Sequence, residues 1–189
     1  MLDNSIDPFQ KYLDLNLSVA RQIPLEEIDK FLSCLDEVRQ KKGTLWVVGN
    51  GGSASTASHF AVDFMKTIEG LGGELPLKTI SLSDSITLLT AISNDVDYSE
   101  SFSAQLQTLA SADDALLCIS VSGKSPNIIK AISKAREINC RTFAILGQAG
   151  TELRQQVDYS IIIPSFDYQI VENLHVLIMH WFTKRFAAK

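Results

Sequence analysis

From Thr44 onward, short runs rich in Val, Ile and Leu alternate with segments of helical length, and this alternation restricts the fold more than any other feature. The runs 44–49, 77–82, 115–120, 141–146 and 158–163 have the length and side-chain type of buried strands. Helices are expected over 53–68, 85–93, 101–110, 126–138, 150–155 and 169–186. Strands separated by helices of this size run parallel, and right-handed crossovers cover both sheet faces. The expectation is a three-layer, doubly wound α/β domain around a five-stranded parallel sheet. Ahead of it, Pro8 to Arg21 carries Phe9, Leu13, Leu15, Leu17 and Ala20 at helical spacing. Pro24 ends that helix, and Leu25 to Lys41 resumes with Ile28, Phe31, Leu32, Leu35 and Val38. The pair needs a surface to cover, on the sheet or on a neighbouring subunit. One domain is expected over 1–189, with a helical pair over 1–42 and the α/β core over 43–189.

At 189 residues and 46% hydrophobic, the chain can bury a full core. A net charge of −5, from 17 basic against 22 acidic residues without a basic cluster, argues against nucleic acid as the main partner. Cys34, Cys118 and Cys140 form no CxxC pair, which fits a reducing cytoplasm and argues against a structural zinc or a disulfide frame. Met1 leads into acidic and polar residues, unlike a secretion signal, and the apolar runs are too short to span a bilayer.

Two loops carry the chemistry. Leu45-Trp-Val-Val-Gly-Asn-Gly-Gly-Ser53 reads as strand, glycine turn and helix start, which points unpaired N–H groups and the positive end of a helix at an anion. Leu116-Leu-Cys-Ile-Ser-Val-Ser-Gly-Lys-Ser-Pro126 repeats the pattern. In a doubly wound sheet both loops lie beyond the carboxyl ends of the strands, where ligands bind. Ser120, Ser122 and Ser125 converge on one helix start as donors to a phosphate, with Gly123 permitting close backbone approach. The bland alternative is a Ser/Gly turn with Ser125 as N-cap before Pro126. A P-loop is excluded, because its first glycine would fall at Cys118. The first loop offers Asn50, Gly51, Gly52 and Ser53 as candidate contacts to the same anion, or else as a tight turn and helix cap. His59 and Asp63 stand four apart, on one helix face opposite the stripe Ala54, Ala57, Phe60, Ala61, Phe64 and Ile68. Without a further partner they read as a solvated polar face.

Gly49-Asn-Gly-Gly-Ser53 with His59-Phe60, and Ser120-Val-Ser-Gly-Lys-Ser-Pro-Asn127, resemble the sugar isomerase (SIS) domain, in its phosphoheptose isomerase branch. The resemblance covers nearly the whole chain, including the Asn94-Asp95 pair and a last helix with His175 and His180. It implies a flavodoxin-like sheet, a homotetramer with active sites between subunits, and aldose–ketose isomerisation of sedoheptulose 7-phosphate, the entry to heptose for lipopolysaccharide and other surface polysaccharides. No redox cofactor is needed, in agreement with the lack of a Gly-x-Gly-x-x-Gly fingerprint.

The resemblance also implies roles. Asp63 stands where the family has a glutamate that moves the proton between C1 and C2; the carboxylate is kept but is one methylene shorter. His180 is the complementary acid/base for the sugar oxygen, and Glu172 stands at a family glutamine. Asp84 and Asp95 fall near the substrate, or serve as an N-cap and a turn. His175 reads as a structural, hydrogen-bonded core residue. His59, Asp63, Glu172 and His180 form a candidate zinc set, since some family members bind zinc at matching positions. Eight helical residues rise about 12 Å, so Glu172 and His180 of one chain share an ion only if Glu172 precedes the helix or one ligand comes from another subunit. Two rival functions follow from the same fold. One is a non-catalytic SIS tetramer that binds a sugar phosphate or a protein partner as a regulator; such regulators lose the second C-terminal histidine, which this chain keeps as His180. The other is an isomerase for a different sugar phosphate.

Overall fold

The computed structural model describes residues 8–71 and 76–188, so the expected domain limits at 1 and 189 fall outside the described residues. Two helices come first, α1 (Pro8–Ala20) and α2 (Leu25–Gln40). Five strands follow: β1 (Thr44–Val48), β2 (Lys78–Ser81), β3 (Ala115–Ser120), β4 (Arg141–Gly147) and β5 (Tyr159–Ile163). They form one all-parallel sheet in the order β2-β1-β3-β4-β5. Every residue of β1 and β3 is buried, as expected of central strands covered on both faces.

Successive strand residues point to opposite faces, and the core divides accordingly. Leu45, Val47, Leu117, Phe143 and Ile145 join a cluster with Phe31 and Leu35 of α2, Phe60 and Phe64, and Phe182. Trp46, Val48, Leu116 and Cys118 join the other, with Leu106, Ile128 and Ile132. The first layer thus holds α1, α2, α3 (Gly52–Val62) and α8 (Tyr168–Ala187); the second holds α6 (Ser103–Leu109) and α7 (Pro126–Glu137). Phe31 stacks on Phe182 at 5.3 Å and meets the Phe143 ring edge-on at 4.8 Å, so α2 and α8 are pinned over β4 by aromatic contacts.

Two departures from the expected elements matter. The helix expected over 53–68 is not uniform: α3 passes at Asp63 into a π-helical turn, Asp63–Thr67, before closing as α4 (Ile68–Gly70). The stretch around 150–155 is a 3-10 segment, Gln148–Gln156. The remaining helix, α5 (Ile86–Asp95), buries none of its residues although it is apolar, with Ile86 73% exposed. Phe9, Leu15 and Leu17 of α1 and Leu177 and Trp181 of α8 are also exposed. Among the described residues, no helix is long and apolar enough to cross a membrane.

Candidate active site

The sheet order changes direction between β1 and β3, since the chain leaves β1 toward β2 on one side and runs β3-β4-β5 on the other. Val48 pairs with Cys118, so the loops after these two strands emerge side by side. This is the switch point at which open α/β sheets bind ligands.

In the first loop, Gly51 has φ +54, a conformation that glycine adopts without a Cβ penalty. It lets the chain turn into α3, whose first turn holds Gly52 and the buried Ser53. In the second, Gly123 has φ +63, and a Cβ there would lie 3.0 Å from the Gly150 Cα. The Gly123 N–H donates to Ser120 Oγ at 3.0 Å and the Lys124 N–H to Ser122 Oγ at 3.4 Å. Each serine oxygen folds the loop as an acceptor and keeps its own O–H to give to a ligand. Ser125 is the N-cap residue of α7, with Pro126 at N1, but its side chain makes no capping bond. Ser125 thus holds the expected N-cap position without its hydroxyl bonding the helix.

A neutral clamp joins the two loops. Asn50 and Asn127 exchange amide hydrogen bonds, Nδ2 of each donating to Oδ1 of the other at 2.9 Å. Asn50 Oδ1 also accepts from the Tyr98 hydroxyl at 2.8 Å, and Asn127 Nδ2 reaches Ser101 Oγ at 3.3 Å. Asn127 is fully buried, and its Oδ1 further accepts the Ile128 N–H at 3.1 Å. Sequence reasoning singled out Asn50 but missed Asn127, Tyr98 and Ser101. An asparagine in the first turn after Ser-Pro looks like any helix start, and only its 0% exposure marks it as the second half of the clamp. Asn127→Ala removes both clamp bonds and leaves Asn50 Nδ2 without its acceptor, while the Ile128 N–H keeps Ser125 O at 3.1 Å, so it should lower the unfolding free energy by about 1–3 kcal/mol in urea titrations.

On the β2 side, Asp84 is exposed and accepts a hydrogen bond from Ser58. It does not cap α5; Ser85 does, accepting from the Leu88 N–H at 3.4 Å. The neighbouring Ser83 hydroxyl donates to Gly49 O at 3.1 Å and ties this loop to the first. Asp95 ends α5, exposed, with its carboxylate taking a bond from Asn94 Nδ2 at 2.8 Å.

The third group of candidates comes together across two helices. Asp63 is only 9% exposed, so the expected solvated face is not what surrounds it. Its Oδ2 lies 3.8 Å from His59 Nε2 and 3.6 Å from His180 Nε2, and the two imidazole rings meet edge to face at 5.1 Å. Both histidines stay about half exposed, leaving the group open to a ligand. The three donor atoms lie within 4.8 Å of one another, two imidazoles and a carboxylate, which is a donor set suited to a divalent ion such as zinc. Glu172 is not in this group. It sits inside α8 rather than ahead of it, and its Oε1 lies 3.0 Å from where a Cβ on Gly52 would be, against the first turn of α3. Its expected share in the ion is corrected for a single chain, because the helix carries it away from His180 toward the first loop.

His175, also on α8, is fully buried, but neither ring nitrogen meets a hydrogen-bond partner among the described residues. The expected hydrogen-bonded core histidine is thus buried without its bonds, and burial pushes its pKa down to about 4.

Residues 9–147 match the SIS domain family. A phosphoheptose isomerase of Pelobacter propionicus is 36% identical over 180 residues, covering 95% of this chain and 94% of that protein. One from Helicobacter pylori is 36% identical over 157 residues, covering 82% and 80%. The solved phosphoheptose isomerase of Neisseria gonorrhoeae superposes with a TM-score of 0.87 at 26% identity, over 96% of this chain and 97% of that one. That of Francisella tularensis does so with a TM-score of 0.87 at 27% identity, over 96% and 95%. The switch-point loops, the sheet order and these likenesses agree: the chain belongs to the SIS domain family, in its phosphoheptose isomerase branch.

Proposed function

We propose that the chain is an aldose–ketose isomerase for sedoheptulose 7-phosphate, working through an enediol on the way to heptose for surface polysaccharide. The observation that carries this reading is the convergence of Asp63, His59 and His180 from two helices, one of which starts at the first phosphate-type loop. The hydroxyls of Ser120, Ser122 and Ser125 bind the phosphate, with Gly123 allowing the backbone close. Asn50, Gly51, Gly52, Ser53 and Glu172 line the sugar, with Asp84 and Asp95 at its β2 side. Asp63 takes the C1 proton and returns it to C2. His180 gives a proton to one sugar oxygen as the enediol forms and recovers one from the other, so the proton count closes. A regulator that only binds would leave this proton-handling cluster without a task.

In a zinc-bound form, His59, Asp63 and His180 would hold the ion, which would supply Lewis-acid polarisation of the sugar carbonyl in place of proton donation by His180. Three protein donors is the count of a catalytic rather than a structural zinc site. The exposed apolar residues of α1, α5 and α8 support a homotetramer, in which neighbouring subunits cover them. Three buried, unpaired cysteines and a phosphorylated substrate fit the cytoplasm.

The test is an NMR assay of the purified protein with sedoheptulose 7-phosphate in D₂O, with and without zinc. The expected result is conversion to the aldose, and deuterium at C2 adds support for the enediol. No conversion in either condition overturns the substrate assignment.

A further inference from the structure

Thr67 has no part in the chemistry above, yet its hydroxyl donates to Asp63 Oδ1 at 3.0 Å. The two residues are the first and last of the π-helical turn, which closes with the Ile68 N–H bonded to Asp63 O. Such turns are rare and concentrate at functional sites. Here the turn has a specific consequence for the carboxylate. One oxygen, Oδ1, is taken by Thr67; the other, Oδ2, is the one that faces both imidazoles. Asp63 is nearly buried, whereas Thr67 is half-buried at the turn's far end and outside the His59–Asp63–His180 group.

The geometry points to Thr67 as a positioning residue for Asp63, holding the carboxylate so that Oδ2 alone is presented to His59, His180 and whatever they bind. This rests on the isomerase reading for the task that Oδ2 performs, but the contact stands without it. An aspartate has one fewer torsion than a glutamate and is shorter. Its reach is set by the backbone, and the widened turn together with Thr67 fixes both ends of that short lever. A hydrogen bond to an outer partner of this kind changes metal affinity or activity by about 10–100-fold when removed.

The experiment compares wild type, Thr67→Val and Thr67→Ser in the full chain. Valine keeps the shape and removes the donor; serine keeps the donor and removes a methyl. Two readouts are taken: kcat and KM for sedoheptulose 7-phosphate separately, and zinc affinity by competition with a chromophoric chelator. In Thr67→Val, kcat should fall about 10–100-fold with KM within about twofold, or zinc should bind about 10–100-fold more weakly. Thr67→Ser should stay within about threefold of wild type in the affected readout. Valine equal to wild type in both readouts overturns the proposal, as does a loss that serine does not restore, which would mark a packing role. If wild type shows no turnover, the isomerase reading fails and zinc affinity alone decides the role of Thr67. A wild type that neither turns over nor binds zinc overturns both.

Discussion

Asp63→Asn should lower kcat by about 10³-fold while the affinity for the sugar phosphate stays within a few-fold of wild type. The substitution is nearly isosteric, and its Oδ1 can still accept from Thr67, so the π-helical turn is retained. What is lost is a base of the right charge at 3.6–3.8 Å from two imidazoles. General acid–base groups contribute typically 10²–10⁴-fold, and a carboxamide cannot take the C1 proton at all. In the proposed mechanism the phosphate is held by a different element, the serine loop after β3. Steady-state kinetics with wild type and variant, paired with calorimetric titration of the substrate, separates the two quantities. An equal loss in affinity and in kcat would remove Asp63 as the proton shuttle and make it a binding residue.

The second large effect is on stability, and it comes from His175. Its pKa is pushed by burial from the ordinary imidazole value of 6.5 to about 4. The folded state therefore refuses a proton that the unfolded chain accepts, so the unfolded state binds more protons between these values. Stability is fully present above pH 6.5, falls as pH drops toward 4, and levels off below that. The shift corresponds to about 3 kcal/mol across this window. Carboxylates add their own acid lability, so the measurement is a difference. Urea unfolding of wild type and His175→Leu at several pH values between 7 and 4 should give curves that diverge, with the leucine variant losing about 3 kcal/mol less. Parallel curves would mean that the imidazole is satisfied and solvated in the folded protein. The catalytic cluster should be unaffected at neutral pH, since His175 is on the buried face of α8 while His180 faces the site.

Much of this architecture is legible in the sequence. The five strands fall within a residue or two of their expected bounds because central parallel strands are unbroken apolar runs, as in Leu45 to Val48 and Leu116 to Ile119. The i, i+4 spacing of His59 and Asp63 gives two of the cluster's three members. The third, His180, lies on a helix more than a hundred residues later; spacing does not reach it, the resemblance does, and the packing of α8 on α3 brings it in. The π-helical turn left no trace in the apolar pattern, since Phe60, Ala61, Phe64 and Ile68 continue a helical stripe through it. Glu172 enters the candidate ion set through the family resemblance, and the helix rise already speaks against its sharing an ion with His180 of the same chain. Spacing along a helix says which residues share a face but not which neighbour each one meets, and Glu172 meets the first loop instead.

The clamp between Asn50 and Asn127 has a consequence for how such a site operates. A catalyst that moves protons changes its own charge at each step, and charged scaffolding would shift in response. Two amides that exchange hydrogen bonds carry no net charge, do not ionise in water and owe little to screening by salt. The frame that sets the distance between the two ligand loops is therefore insulated from the electrostatic cycle beside it. Changes of pH or ionic strength thus act on the acid and base groups, while the clamp's own hydrogen bonds have no charge for them to alter.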